Sequence, residues 1–96
     1  MGVANRPFQL AALCYSIPVP TILRIGPYRF FFYANDRTEP IHVHVEREMF
    51  KAKFWVAPVR LAGSKGFRPA ETARIRRLVC EHESLIVEKW HEYFDA

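Results

Sequence analysis

The chain has few cysteines and lacks a long apolar segment. Its two cysteines, Cys14 and Cys80, are too few for the disulfide framework of a small secreted domain. The apolar stretch at 8–14, FQLAALC, is too short to cross a membrane, and no cleavage site of the A-x-A type follows it. We therefore expect a reduced, cytoplasmic protein that is not processed at its N-terminus.

The composition is that of a small globular domain. Half of the residues are hydrophobic and 15% are aromatic, which supplies enough bulky apolar surface for a core. A length of 96 residues excludes a multidomain enzyme or a solenoid. The formal net charge of +4 favours an anionic partner, but it does not identify one.

The order of sequence patterns predicts an arm, a sheet and two helices. Residues 1–20 carry three prolines and a single charge, so we expect an arm there, followed by a single domain at 21–96. Strand-like alternation over 21–57 predicts a four-stranded antiparallel meander, with a loop after Pro58. Apolar stripes at 70–81 and from Ser84 onwards predict two C-terminal helices packed on one face of the sheet. The expected fold class is α+β.

The third and fourth predicted strands form a hairpin that separates a core face from a polar face. A two-residue turn at 48–49 and the alternation of side chains along each strand define its register. The core face carries Val43, Val45 and Phe54. The opposite face, called the polar face below, is built from three cross-strand pairs: His42 with Trp55, His44 with Lys53, and Glu46 with Lys51.

The polar face is typical of the solvated side of an antiparallel sheet whose other side packs on helices. It also fits a metal-independent ribonuclease or an RNA-binding surface. In the catalytic interpretation, neutral His44 is the general base, Glu46 orients it and Lys53 attracts a phosphate. His42, Lys51 and Trp55 then belong to the binding surface.

A third interpretation of the polar face is a divalent-metal site. Two imidazoles and a carboxylate at His42, His44 and Glu46 have the spacing His-x-His-x-Glu on one strand face. Lys51 and Lys53 lie opposite these groups in the predicted hairpin, and their ammonium groups repel a divalent cation. We therefore expect no metal ion and no other cofactor.

The first predicted hairpin adds two cations to the binding surface. A turn at Gly26-Pro27 places Arg24 opposite Arg29. Like charges directly opposite each other are unfavourable. The pair therefore indicates either a neighbouring anion or carboxylate, or two long side chains that extend into water.

Several segments of the chain resemble a bacterial family called domain of unknown function 4160. They are PTILRIGPYRFFFYAND, EPIHVHVE, KAKFWVAPVRLA and the terminal W-x-x-YF, and they extend from about residue 20 to residue 94. The most specific element is the proline followed closely by His-Val-His-Val, at 40–45. The resemblance implies a compact α+β domain from a bacterium. It identifies no catalytic residues.

The resemblance also implies a partner. Such proteins are often encoded beside another small family, domain of unknown function 2442, in an arrangement similar to a toxin–antitoxin pair. We therefore expect a small cytoplasmic interaction module whose partner is a small protein encoded nearby. RNA is the alternative partner, and no membrane association is expected. The sequence leaves open whether the chain is an enzyme.

Overall fold

The computed structural model describes residues 18–95, with side chains from Thr21 onwards. Most of the predicted arm, residues 1–17, lies outside the described residues. Five antiparallel strands follow one another in the sheet in chain order, and two helices come after them. The elements are β1 (Pro18–Ile25), β2 (Tyr28–Tyr33), a 3-10 turn (Asp36–Thr38), β3 (His42–Arg47), β4 (Phe50–Trp55), β5 (Arg60–Lys65), α1 (Pro69–Glu81) and α2 (Glu83–Phe94).

The sheet has one strand more than the sequence predicts. The prediction of four strands is wrong because β5, expected to be a loop, pairs with β4. All six residues of β5 are exposed, so its sequence RLAGSK lacks the alternation that reveals a half-buried strand. Its position at the edge of the sheet explains this exposure. The α+β class, the antiparallel sheet and the two C-terminal helices are confirmed.

The predicted register of the β3–β4 hairpin is confirmed. His42 pairs with Trp55, His44 with Lys53 and Glu46 with Lys51. In the turn, Glu48 has a φ of 57°, which closes the two-residue connection. Arg24 and Arg29 are also directly opposite each other on β1 and β2, as predicted.

The helices cover the predicted core face of the sheet. Val43, Val45 and Phe54 are fully buried there. The helical side chains in the same cluster come from both helices and are Ile75, Val79, Ile86, Trp90 and Phe94. The two helices meet at His82, close to the predicted break, and α2 begins at Glu83. Neither helix of residues 18–95 has the length and apolar character needed to cross a membrane.

Candidate metal centre

Three titratable side chains converge at the start of β3. Asp36 lies in the 3-10 turn between β2 and β3, and His42 and His44 lie on β3. β2 and β3 are antiparallel neighbours, with Phe31 opposite His44, so the turn that joins them lies close to the first residues of β3. As a result, one ligand atom from each of the three side chains lies within 4.8 Å of the others. We call these three residues the Asp-His-His cluster.

The carboxylate of Asp36 lies between the two imidazoles. Its Oδ1 is 3.1 Å from Nε2 of His42, and its Oδ2 is 3.1 Å from Nε2 of His44. The backbone N–H of Tyr33 donates a hydrogen bond of 2.7 Å to Oδ2. Burial by itself raises the pKa of Asp36, but the two imidazoles and this N–H favour the carboxylate more strongly, so its pKa lies well below the usual range. The cluster therefore contains an ionised, buried carboxylate.

The imidazole of His42 is fully buried and oriented by the backbone. Its Nδ1 lies 2.8 Å from the carbonyl oxygen of Pro40, and a carbonyl can only accept, so Nδ1 donates. In the neutral ring, the lone pair is then on Nε2, which faces Asp36. Although that contact is short, it lacks hydrogen-bond geometry, and Nε2 is a buried atom without a hydrogen-bond partner in the described chain. Leaving such an atom unsatisfied is costly.

Aromatic rings enclose the cluster on several sides. The ring centroids of Trp55 and Trp90 lie 5.6 and 5.3 Å from that of His42. The ring of His44 stacks on Phe31 at 5.5 Å and meets the edge of Tyr33 at 4.6 Å. The side chain of His44 is nevertheless 17% exposed, so the cluster has access to solvent at this histidine.

The polar atoms of the predicted catalytic residues contact three different partners. His44 contacts Asp36, as described above. Glu46 accepts a hydrogen bond of 2.8 Å from Arg29, and Lys53 donates one of 2.7 Å to Glu39. The three residues share the polar face, but this structure does not join their functional groups into one hydrogen-bonded set.

The rest of the predicted binding surface is divided between the two hairpins. Of the two alternatives for the arginine pair, Arg29 has a neighbouring carboxylate, because it forms an ion pair with Glu46. Arg24 and Lys51 are exposed. Trp55 is half-buried, and the ammonium of Lys53 lies 4.5 Å from the centroid of its ring.

The lysines of the polar face repel a bound metal cation less strongly than the sequence implies. The ammonium of Lys53, the residue directly opposite His44, is compensated by the carboxylate of Glu39. Asp36 adds a negative charge beside both histidines. The structure does not test the expectation that no metal ion binds, and these two carboxylates reduce the repulsion on which that expectation rests.

Asp36 is the cluster residue that sequence reasoning missed. Its position in the polar turn at 34–40 gives no periodic signal. The signal that could have revealed it is topological, because an antiparallel connection returns the chain to the first residues of the next strand. A lone aspartate in the turn before His42 is therefore a natural neighbour of that histidine.

The donor set of the cluster suits a first-row divalent ion. Two imidazoles and one carboxylate are the ligands of many zinc and non-haem iron sites, with the remaining positions taken by water or substrate. Two ligands that are each about 2.1 Å from a shared ion lie roughly 3.0–3.4 Å apart. Asp36 lies 3.1 Å from each histidine through a different carboxylate oxygen, and the contact with His44 is a direct hydrogen bond, so this distance fits both a shared ion and hydrogen bonding.

Comparison with known proteins identifies a family but no characterised relative. A family model described as a domain of unknown function (DUF4160) matches residues 28–91, which include the whole Asp-His-His cluster. No curated protein and no solved structure matches the chain.

Proposed function

Since the chain belongs to the DUF4160 family, whose description gives no activity, we propose a function from the geometry of the Asp-His-His cluster: the protein binds a divalent transition-metal ion. Asp36, His42 and His44 are the proposed ligands, and zinc is the probe that tests them. Glu46 has no part in this proposal because its carboxylate binds Arg29.

One observation carries the proposal. His42 Nε2 is buried, has no hydrogen-bond partner among residues 21–95, and lies 3.1 Å from an ionised carboxylate. Without a proton on Nε2, the imidazole presents a lone pair to that carboxylate, which is unfavourable. A proton on Nε2 relieves this contact by forming an ion pair with Asp36, and a bound metal ion relieves it as well. A metal ion between the two groups would accept electron pairs from both.

The surroundings of His42 support the same interpretation. Histidines that bind metals usually donate their other N–H to a carbonyl or carboxylate, which fixes the tautomer and the ring. The contact between His42 Nδ1 and the carbonyl oxygen of Pro40 meets that description. The carboxylate of Asp36 is held in turn by the N–H of Tyr33.

Zinc titration by calorimetry at neutral pH tests the proposal. Wild type should bind one zinc ion, and His44→Ala and Asp36→Asn should each lose at least about 100-fold in affinity, because even outer-shell partners of a metal site contribute 10- to 100-fold. The matched control is His91→Ala, which removes an exposed histidine of α2 that pairs with Asp95, the residue after the helix.

Circular dichroism of each variant shows whether the fold is retained. Equal zinc affinities for wild type and His44→Ala would contradict the proposal. So would a loss of affinity in His91→Ala that matches the loss in His44→Ala.

We also propose that the protein is an interaction module of a bacterial two-protein system in the cytoplasm. The supporting observation is the edge strand β5, whose six residues are all exposed. An exposed edge presents unpaired backbone groups on which a partner can add a strand. Because Arg60 and Lys65 form no ion pair within residues 21–95, and the chain carries a net charge of +4, the proposed partner is a small acidic protein.

Co-expression with the product of the neighbouring reading frame tests this second proposal. Leu61 on β5 is 45% exposed, and Leu61→Asp should weaken the complex at least tenfold by placing a negative charge against the acidic partner. Met49→Asp makes the same change at the 79% exposed tip of the β3–β4 turn and should leave the complex intact. Absence of a complex, or equal losses in both variants, would contradict the proposal.

A further inference from the structure

A shallow groove crosses the polar face between β4 and β5. It has a volume of about 230 Å³ and is lined by residues that include His44, Lys51, Lys53, Gly63, Ser64 and Lys65. The ring of His44 belongs both to this groove and to the Asp-His-His cluster. The groove therefore opens beside the proposed metal site but is formed mainly by other residues.

Within the part of the chain that the structure describes, two ammonium groups in the groove lack a compensating anion. Lys51 on β4 is directly opposite Lys65 on β5, and like charges in this arrangement repel each other. Among residues 21–95, neither lysine forms an ion pair with a carboxylate. Glu46, the cross-strand neighbour of Lys51, binds Arg29 instead. A bound anion would relieve the repulsion between the two lysines.

Gly63 leaves space beside these charges. It is the cross-strand neighbour of Lys53, and a Cβ atom built at Gly63 would have no atom of the described chain within 4 Å. The strand therefore has no side chain at the position that would fill the groove. Lys53 itself is neutralised by Glu39, so Lys51 and Lys65 supply the uncompensated charge.

We infer that this groove binds the phosphate group of a phosphate ester. Lys51 and Lys65 provide the cationic contacts, and His44 lies at its border with the Asp-His-His cluster. Lysine binds phosphate as a point charge, which suits an open groove better than a rigid bidentate clamp. The site goes beyond the proposed metal function and stands without a bound metal ion.

Nucleotides, RNA and inorganic phosphate share this chemistry, so the test uses all three. Inorganic phosphate and adenosine monophosphate are titrated by NMR, and a fluorescent octaribonucleotide by anisotropy, all in metal-free buffer with EDTA. The variant Lys51→Ala/Lys65→Ala should bind the probe that wild type selects at least tenfold more weakly. Arg76→Ala/Arg77→Ala removes the same charge from the exposed side of α1 and should change binding less than twofold.

Comparison of the probes identifies the source of the phosphate. Binding of phosphate or adenosine monophosphate with shifts at residues 51–53 and 63–65 supports a site for a small phosphate ester. Tighter binding of the octaribonucleotide supports RNA, and its logarithmic salt slope should then fall by about 1.4 in the Lys51/Lys65 variant, at about 0.7 per lost phosphate contact.

The inference is overturned if wild type binds none of the three probes. It is also overturned if both double variants lose affinity equally, since net charge alone would then explain binding. Because zinc is absent throughout, these outcomes are independent of the test of the metal site.

Discussion

At the scale of single residues, Glu71 shows how one carboxylate joins α1 to the sheet. Arg47 donates two hydrogen bonds to it, of 2.8 and 2.9 Å, and the hydroxyl of Tyr28 donates a third of 2.7 Å. The hydrogen bonds from Arg47, followed by the one from Tyr28, lower the pKa of Glu71 below its usual value. The ionised carboxylate therefore stabilises the folded state.

The lowered pKa of Glu71 predicts a pH-dependent effect of Glu71→Gln. Because the pKa is lower in the folded state, the stabilisation is fully present above the ordinary glutamate pKa of about 4.3 and is lost as the pH falls through the folded value. Glu71→Gln should therefore melt below wild type at pH 7, and the difference should narrow towards pH 3. Thermal melts between pH 7 and pH 3 measure the difference in melting temperature between the variant and wild type.

Glu88→Gln is the control for Glu71→Gln. It removes an exposed carboxylate of α2 and should change stability by no more than about 0.5 kcal/mol at any pH. If the melting temperatures of Glu71→Gln and wild type differ by the same amount from pH 7 to pH 3, the shape of the side chain, and not its charge, explains the effect.

At the scale of elements, two glycines near the end of β5 have opposite roles. Gly66, in the connection to α1, has a φ of 99°, and a Cβ atom there would collide with the ring of Phe50. Phe50 packs against Phe67, the next residue along the chain, with ring centroids 5.7 Å apart. Gly63 within β5 has neither constraint, since its surroundings in residues 18–95 are open.

Gly66→Ala and Gly63→Ala should therefore differ in stability. Gly66→Ala combines an unfavourable backbone conformation with a clash in the core and should cost about 2 kcal/mol or more. Gly63→Ala should be neutral or stabilise by a few tenths of a kcal/mol, because alanine loses less backbone freedom than glycine on folding. Urea denaturation measures both. Similar losses of stability in the two variants would contradict the structure of the connection between β5 and α1.

The elements that could be predicted from the sequence are those with a buried and an exposed face. The alternation in β3 and β4, with only two residues between them, left one reasonable register, and that register is confirmed. β5 could not be predicted because neither side of it is buried and it contains Gly63. An edge strand of this kind is defined by its backbone hydrogen bonds to β4. Backbone pairing does not require a particular pattern of side chains, so the sequence gives no sign of it.

At the scale of the whole molecule, the candidate site depends on contacts that the strand pattern alone does not give. The sequence placed His42 and His44 on one face, but Asp36 joins them only because β2 and β3 are neighbours. The burial of His42 also depends on Trp90, which reaches it from α2. Sequence reasoning thus found two members of the cluster and missed the one that belongs to a turn.

Metal binding should stabilise the whole fold. A ligand that binds only the folded state at 100 times its dissociation constant adds about 2.7 kcal/mol, which raises the melting temperature of a domain this size by roughly 10 °C or more. Zinc should produce this shift in wild type and in His91→Ala, but not in Asp36→Asn, and excess EDTA should reverse it. A shift of equal size in Asp36→Asn would place the zinc elsewhere on the chain.

Asp36, His42 and His44 are the proposed zinc ligands, and X-ray absorption at the zinc edge of the one-to-one complex identifies the donor atoms themselves. The spectrum should show two imidazoles and otherwise oxygen ligands, at about 2.0–2.1 Å, with no sulfur. Sulfur at about 2.3 Å would assign the ion to Cys14 or Cys80. That result, or a spectrum without two imidazoles, would show that the Asp-His-His cluster does not bind the ion.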